Sequence, residues 1–395
     1  MLKKMCFLVL TLLLLISVST LFANGTQEKA KDSKLVAWEK SAQLGKYRPP
    51  KDDWDAIEKA AKEEGDVVVY SNSSRVTKFC RSFTKRYGIK AEGYSFKTPN
   101  LIEKLRREQD AGIYNADVVM TGNATLFVTE FAETGRVYKF IPSDIYPLLT
   151  ESAKKEPLAI AHYGAKVVMY NTEKYKTPPI DSWWDLTRPE WKGKLVTVDP
   201  LKSGTEFNLF ALFVRHSDEM AKLYKEEFGK DIVLHGTENA GYEFLKQLIA
   251  NKPVLFAGGN DVAKAIGAKG QANPPIGINS FSKLRKAAEN NLALGVITNL
   301  KPTTGISTKS VISIPKFAKH PNAAKLMIRW MMGGINEKDY AGYAPYHVMG
   351  DWSPRKDIEQ PKGQPPLDKM NLWPEDIKWL YTNQVKVRDF WIQHM

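Results

Sequence analysis

The chain has almost no cysteine. Of the two in 395 residues, Cys6 falls in an apolar leader, so Cys80 stands alone in the remainder and no intramolecular disulfide can form there. Histidine is scarce as well. The six, His162, His216, His235, His320, His347 and His394, include no pair at the short spacings that metal sites use. No Gly-x-Ser-x-Gly elbow and no phosphate-binding P-loop is present. Internal repeats and low-complexity tracts are lacking, and past the leader no run is long and apolar enough to cross a bilayer. A disulfide-stapled scaffold and a hydrolase built on a nucleophile elbow are therefore poor readings.

The leader itself is informative. Lys3 and Lys4 give a basic start, Phe7 to Val18 is a short apolar run, and Leu21-Phe22-Ala23 ends on a small residue. These are the three parts of a secretory signal, with cleavage expected near Ala23. Asn24 follows where a lipoprotein needs a cysteine, so a soluble, exported, periplasmic protein is expected. The formal net charge is +13, from 57 lysines and arginines against 44 acids, and two of those lysines belong to the leader. Such a chain can meet anionic ligands, yet the bases are interleaved with acids and no basic-aromatic motif points to nucleic acid.

Strands and helices alternate from residue 66 onward. "DVVVY" reads as a buried strand, followed by the turn Ser71-Asn72-Ser73-Ser74 and a helix carrying Val76, Phe79, Cys80, Phe83 and Tyr87 at helical spacing. "IKAEGYSF", "LIEKLRREQDAG" and "ADVVMT" continue as strand, helix, strand. "AKVVMYN" opens a second run of the same kind, and "GISTKSVISIP" reads as a long strand crossing back. Asp52 is expected to cap the helix that contains Trp54 and Ile57. The fold class is therefore α/β with mixed, mostly parallel sheets in two lobes. The expected organisation is a signal peptide at 1–23, an N-terminal segment and helix at 24–65, one lobe at 66–165 plus about 305–345, a second at 166–304, and a helical tail at 346–395.

Parallel sheets present their loops at the strand carboxyl ends, and two facing lobes make a cleft. The polar strand-to-helix turns are thus the candidate site. Ser203-Gly204-Thr205 opens a helix after "KLVTVDP", where free N–H groups and the helix dipole favour an anion and glycine lets a ligand come close; ordinary N-capping is the competing explanation. Ser73, Ser74 and Arg75 form a second such turn, with Arg75 able to grip an anion or to sit solvated. Thr121 and Asn123 belong to a third turn, Asn260 to a fourth, and Ser280 to the far wall. These ten are the expected ligand contacts. His162-Tyr163 can line the cleft or be structural, and the adjacent Trp183-Trp184 can pack between elements or stack on a ring. Cys80, beside Phe79 on an apolar face, reads as core rather than nucleophile. No catalytic residue, metal ligand or cofactor is assigned.

The segment "YNTEKYKTPPIDSWWDLTRPEWKGKLVTVDPLKSGTEFN" resembles bacterial extracytoplasmic solute-binding proteins of ABC importers, and Val67 to Met332 carries further matching segments. The resemblance implies a type II periplasmic-binding fold: two α/β lobes, a hinge and closure on a ligand. It implies a monomer serving an inner-membrane permease, in the branch for iron(III), thiamine, phosphonates and hexose phosphates. Ferric members of that branch carry an adjacent Tyr-Tyr pair where this chain has Asn279-Ser280-Phe281. A small anionic organic solute, a sugar phosphate or phosphonate, is the expected cargo. Ferric iron, with Tyr70 and Tyr170 as single ligands, is the alternative, followed by a polyamine and by an exported enzyme using Cys80.

Overall fold

The computed structural model describes residues 33–395; the leader and its cleavage point near Ala23 lie outside the described residues. Residues up to Pro50 form a unit of their own, in which a helix over 33–42 is followed by a short 3₁₀ turn, Gly45–Tyr47.

The second unit, Lys51–Met395, opens with α1 (Trp54–Glu64). Its N-cap is Asp53, whose carboxylate accepts from Ala56 N at 3.1 Å, and not the expected Asp52. Asp52 is engaged elsewhere, accepting from Ser143 N at 2.7 Å. There follow β1 (Asp66–Ser71), α2 (Val76–Tyr87), β2 (Lys90–Ser95), α3 (Thr98–Asp110) and β3 (Val118–Thr121). β1 pairs in parallel with both β2 and β3. Valines and a tyrosine make β1 a strand, since branched and aromatic side chains fit a pleated surface buried on both faces.

A 13-residue strand, β4 (Ala159–Asn171), then leads into a second parallel set: β5 (Leu195–Val198), β6 (Val254–Phe256) and β7 (Ile276–Ser280). α4 (Gly204–Arg215) follows β5 and α5 (Gly259–Gly267) follows β6. The long return strand β8 (Gly305–Pro315) runs antiparallel to β4 and reaches β3, so the sheet order is β2-β1-β3-β8-β4-β7-β5-β6. Among the described residues β4 and β8 alone connect the two parallel sets, and their register shifts once, between Ser310 and Val311. α6 (Pro321–Met331) packs back on α1, with Glu64 accepting from Asn322 N and Ala323 N at its N-terminus, the position where a carboxylate is favoured.

Two apolar cores match the two sets. One gathers Tyr70, Leu101, Leu105, Val119, Phe127 and Phe131. The larger gathers Trp183, Trp184, Phe210, Phe213, Phe244 and Trp391. Trp183 and Trp184 are fully buried and donate to Thr303 O and Met220 O, so they pack between elements and present no face to a ligand. The tail is more than helical. Asp351–Trp352 pairs with β4 and Leu372–Trp373 with β8 before α7 (Ile377–His394) begins.

Candidate functional site

Every parallel strand points its carboxyl end at one cavity of about 670 Å³. Asn72 to Arg75 arrive from β1, Ser95 to Thr98 from β2 and Gly122 from β3. Opposite them stand Lys202, Ser203, Thr205 and Glu206 after β5, Ala257 to Asp261 after β6, and Ser280, Ser282, Lys283 and Arg285 after β7. His162, Gly164, Lys166, Thr308 and Ser310 line it from the crossing strands, with Asp351 from the tail.

The turn after β1 is built by local polar bonds: Ser71 Oγ accepts from Ser73 N (3.0 Å) and Ser73 Oγ from Arg75 N (3.3 Å). Asn72 ties three loops together, donating to Thr98 Oγ1 (3.1 Å) and accepting from Gly122 N (3.2 Å). Arg75 lines the cavity, but its guanidinium is not free to grip an anion. It donates to Asp351 and to Pro345 O (3.0 Å) and lies 4.3 Å over the Tyr346 ring. Such a pair is close to electrically neutral toward a ligand. His162 is buried against the same ring, 4.4 Å away, within 3.3 Å of Ser310 Oγ. Burial and the Arg75 charge bring its pKa down to about 4 despite Asp351, so it presents a neutral imidazole at pH 7.

The Ser203-Gly204-Thr205 turn has a different structure from the expected anion cradle. Glu206, in the first turn of α4, is fully buried; its carboxylate receives Lys166 Nζ on one oxygen and the Ser203 and Thr205 hydroxyls on the other. The anion at this helix N-terminus is the chain's own. Removing one partner of such a buried pair costs about 3–5 kcal/mol, because the other charge is left unpaired. Gly204 does not face the cavity. A β-carbon there would lie 2.3 Å from Asn123 Nδ2, so the close approach that glycine permits is made by Asn123, from the turn after β3. Asn123 accepts from Leu126 N (3.3 Å) and, with Gly204, lines a neighbouring groove under α7. Thr121 is fully buried and accepts from Asn123 N (3.2 Å). Of the expected contacts, Ser73, Ser74, Arg75, Ser203, Thr205, Asn260 and Ser280 line the cavity, whereas Thr121, Asn123 and Gly204 do not.

Sequence reasoning missed the charges. Lys97, Lys166, Lys202, Lys283 and Arg285 join Arg75 around the cavity, against Glu206, Asp261 and Asp351. Lys283 donates to Asn260 Oδ1 at 2.7 Å. Burial, then Arg285, Arg75, Lys166 and Lys286, push its pKa down to about 7. Burial and Arg75 likewise pull the Arg285 guanidinium below its ordinary value. Lys97 reaches across from β2 to the Ala257 carbonyl after β6, so the two walls touch at the rim.

Other candidates sit apart. Tyr70 is buried, with its hydroxyl 3.2 Å from Glu108, and no tyrosine lines the cavity. Tyr170 packs at the edge of the larger core. Among the described residues no group of three His, Cys, Asp or Glu side chains is placed to hold a metal ion. Cys80 is buried beside Gly93, and burial pushes its thiol up to about 12, where the nucleophilic thiolate is absent at pH 7.

A family model described as "Bacterial extracellular solute-binding protein" matches residues 78–367. An uncharacterised protein of Haemophilus influenzae is 25% identical over 294 residues, 70% of this chain and 75% of that protein. Among solved structures, the periplasmic binding protein AfuA from Actinobacillus pleuropneumoniae, with exogenous fructose 6-phosphate bound, has a TM-score of 0.65 at 19% identity, covering 84% of this chain and 98% of its own. Iron-bound HitA from Pseudomonas aeruginosa has a TM-score of 0.62 at 17% identity, covering 82% and 99%. At such identities the likeness is one of fold: two α/β lobes of the type II periplasmic-binding class.

Proposed function

Because this chain belongs to the bacterial extracellular solute-binding proteins, we propose that it is the periplasmic receptor of an ABC importer, capturing a small phosphorylated or phosphonate organic solute. One observation carries the cargo assignment. Six basic side chains and a set of serine, threonine and asparagine groups face a cavity with three carboxylates and no tyrosine. Hydroxyls, amides and ammonium groups suit phosphoryl oxygens. Iron, which HitA binds, favours hard anionic donors when ferric, and phenolates are missing from this wall. AfuA holds fructose 6-phosphate in a similar fold, which supports the same class.

The mechanism follows from the walls. Solute enters between the lobes and is held by turns from both, so binding favours the closed arrangement over the open one. Lys97 reaching Ala257 and Asn123 fitting over Gly204 are contacts that exist only when the walls meet. The closed receptor, a monomer exported after cleavage near Ala23, then docks on its inner-membrane permease. We place the lobes at 66–165 with about 305–345, and at 166–304.

Thermal-shift screening tests this. Fructose 6-phosphate or an alkylphosphonate should raise the melting temperature, and spermidine should not. Ferric citrate should produce no visible tyrosinate-to-iron band. A coloured ferric complex without stabilisation by any phosphorylated solute would sink the proposal.

A further inference from the structure

The sheet order gives the cavity a direction. The crossing strands β8 and β4 border it at the middle of the order, and β2 and β6 stand at the two ends. The crossing strands contribute polar side chains: His162, Lys166, Thr308 and Ser310. The end strands bring something else. Phe96 follows β2, and Ala257 follows β6, beside Val198 at the end of β5. Among the described residues that line the cavity, Phe96 is the one aromatic ring besides His162, and Val198 is the one branched aliphatic side chain. Lys97 donating to Ala257 O joins these two ends across the cleft.

Phe96 is held in place as a platform would be. Its N–H donates to Ser71 O at 2.9 Å, which extends the β1–β2 ladder by one residue. Tyr70 meets the ring at a steep angle with centroids 5.1 Å apart, and Tyr94 lies nearly parallel at 6.4 Å. The ring is only half-buried, and it lines the cavity. Charge free for a ligand lies elsewhere. Lys166 is paired with Glu206, Arg75 with Asp351 and Lys202 with Asp199, whereas Lys283 contacts the neutral amide of Asn260. An anionic group is thus drawn to the Lys283 turn after β7. The rest of a solute anchored there has Phe96 and Val198 as its large apolar neighbours, and a hydrocarbon face laid on them leaves water.

We propose that Phe96 is a specificity-determining residue: with Val198 it selects phosphorylated or phosphonate solutes that carry a ring or hydrocarbon face over those that carry none. This rests on the phosphorylated-solute assignment above. The test is calorimetric titration of the purified protein with phenylphosphonate, methylphosphonate and fructose 6-phosphate. The wild type should bind phenylphosphonate at least about tenfold more tightly than methylphosphonate, because the ring buries apolar surface that a methyl group lacks. Phe96→Ala should narrow that ratio to about threefold or less by weakening phenylphosphonate, whereas a merely structural loss would weaken both phosphonates alike. Phe96→Gln, which keeps bulk but presents an amide, serves if Phe96→Ala fails to melt cooperatively. The wild-type ratio needs no variant. A wild-type ratio below tenfold, or one that loss of the Phe96 ring leaves unchanged, overturns the role of Phe96 alone. Binding of fructose 6-phosphate without binding of phenylphosphonate does the same. Failure of all three compounds to bind the wild type overturns the phosphorylated-solute assignment and the role of Phe96 with it.

Discussion

Burial, and then the cations Arg285, Arg75, Lys166 and Lys286, bring Lys283 down to about 7. Below that pH the ammonium is already charged and an arriving phosphoryl group meets it directly. Above it the side chain of the empty receptor is neutral, and binding must recruit a proton. A phosphate monoester is itself dianionic above about pH 6, so its own titration does not mask the effect. Affinity for fructose 6-phosphate should therefore be flat just below pH 7 and fall by up to about tenfold per pH unit above it. Calorimetry in buffers of different ionisation enthalpy should register proton uptake at pH 8, and Lys283→Met should abolish both the uptake and the slope. A slope unchanged by Lys283→Met would remove this residue from the site. Lysines of this kind were illegible in the sequence because an isolated lysine in a turn reads as a solvated surface charge. Lys97, Lys166, Lys202 and Lys283 lie tens of residues apart, and only the sheet order brings them around one cavity.

Among the elements, α7 shows how a legible segment can have an illegible role. A helical tail was expected from the sequence, but nothing in the sequence said where it docks. It buries Leu380, Val387 and Trp391 in the larger core, with Trp391 stacked 4.9 Å from Phe210 on α4 and Phe390 4.6 Å from Tyr242. Trp391→Ala should cost about 3–5 kcal/mol by leaving a cavity in that core. Chemical denaturation would register the loss, and a cost below about 1 kcal/mol would mean that α7 is only loosely attached. The strand–turn–helix rhythm was equally readable, since runs such as "DVVVY" and "ADVVMT" announce buried parallel strands and polar turns follow them. The contribution of Asp351 was not. It arrives from a short strand in the Pro- and Gly-rich tail and meets Arg75 across 276 positions of sequence. Likewise, Ser203-Gly204-Thr205 looked like a cradle because no rule of local sequence says that Glu206 will turn back onto it.

For the whole molecule, the proposed function depends on two walls meeting, and Gly204 against Asn123 is one place where they meet. A β-carbon there falls 2.3 Å from Asn123 Nδ2 and 2.8 Å from its Cγ. Gly204→Ala should therefore hold the lobes slightly apart and weaken fructose 6-phosphate binding by about tenfold, as overpacking of 1–3 kcal/mol would. Small-angle scattering of the loaded variant should show a larger radius of gyration than the loaded wild type. Asn123→Ala in the same chain should restore most of the affinity, because the clash is between these two residues. Wild-type affinity in Gly204→Ala would rule out a closure-coupled site.

The register shift between Ser310 and Val311 bears on how such a molecule would flex. Among the described residues two antiparallel strands are the only sheet continuity between the parallel sets, and a bulged ladder bends and twists most readily at its bulge. A pivot at this bulge would lie beside Ser310, which is within 3.3 Å of His162 on the cavity wall. A fulcrum there would sit inside the grip and not behind it, like the joint of tweezers held close to the tips: cargo touching Ser310 or His162 would press on the axle itself.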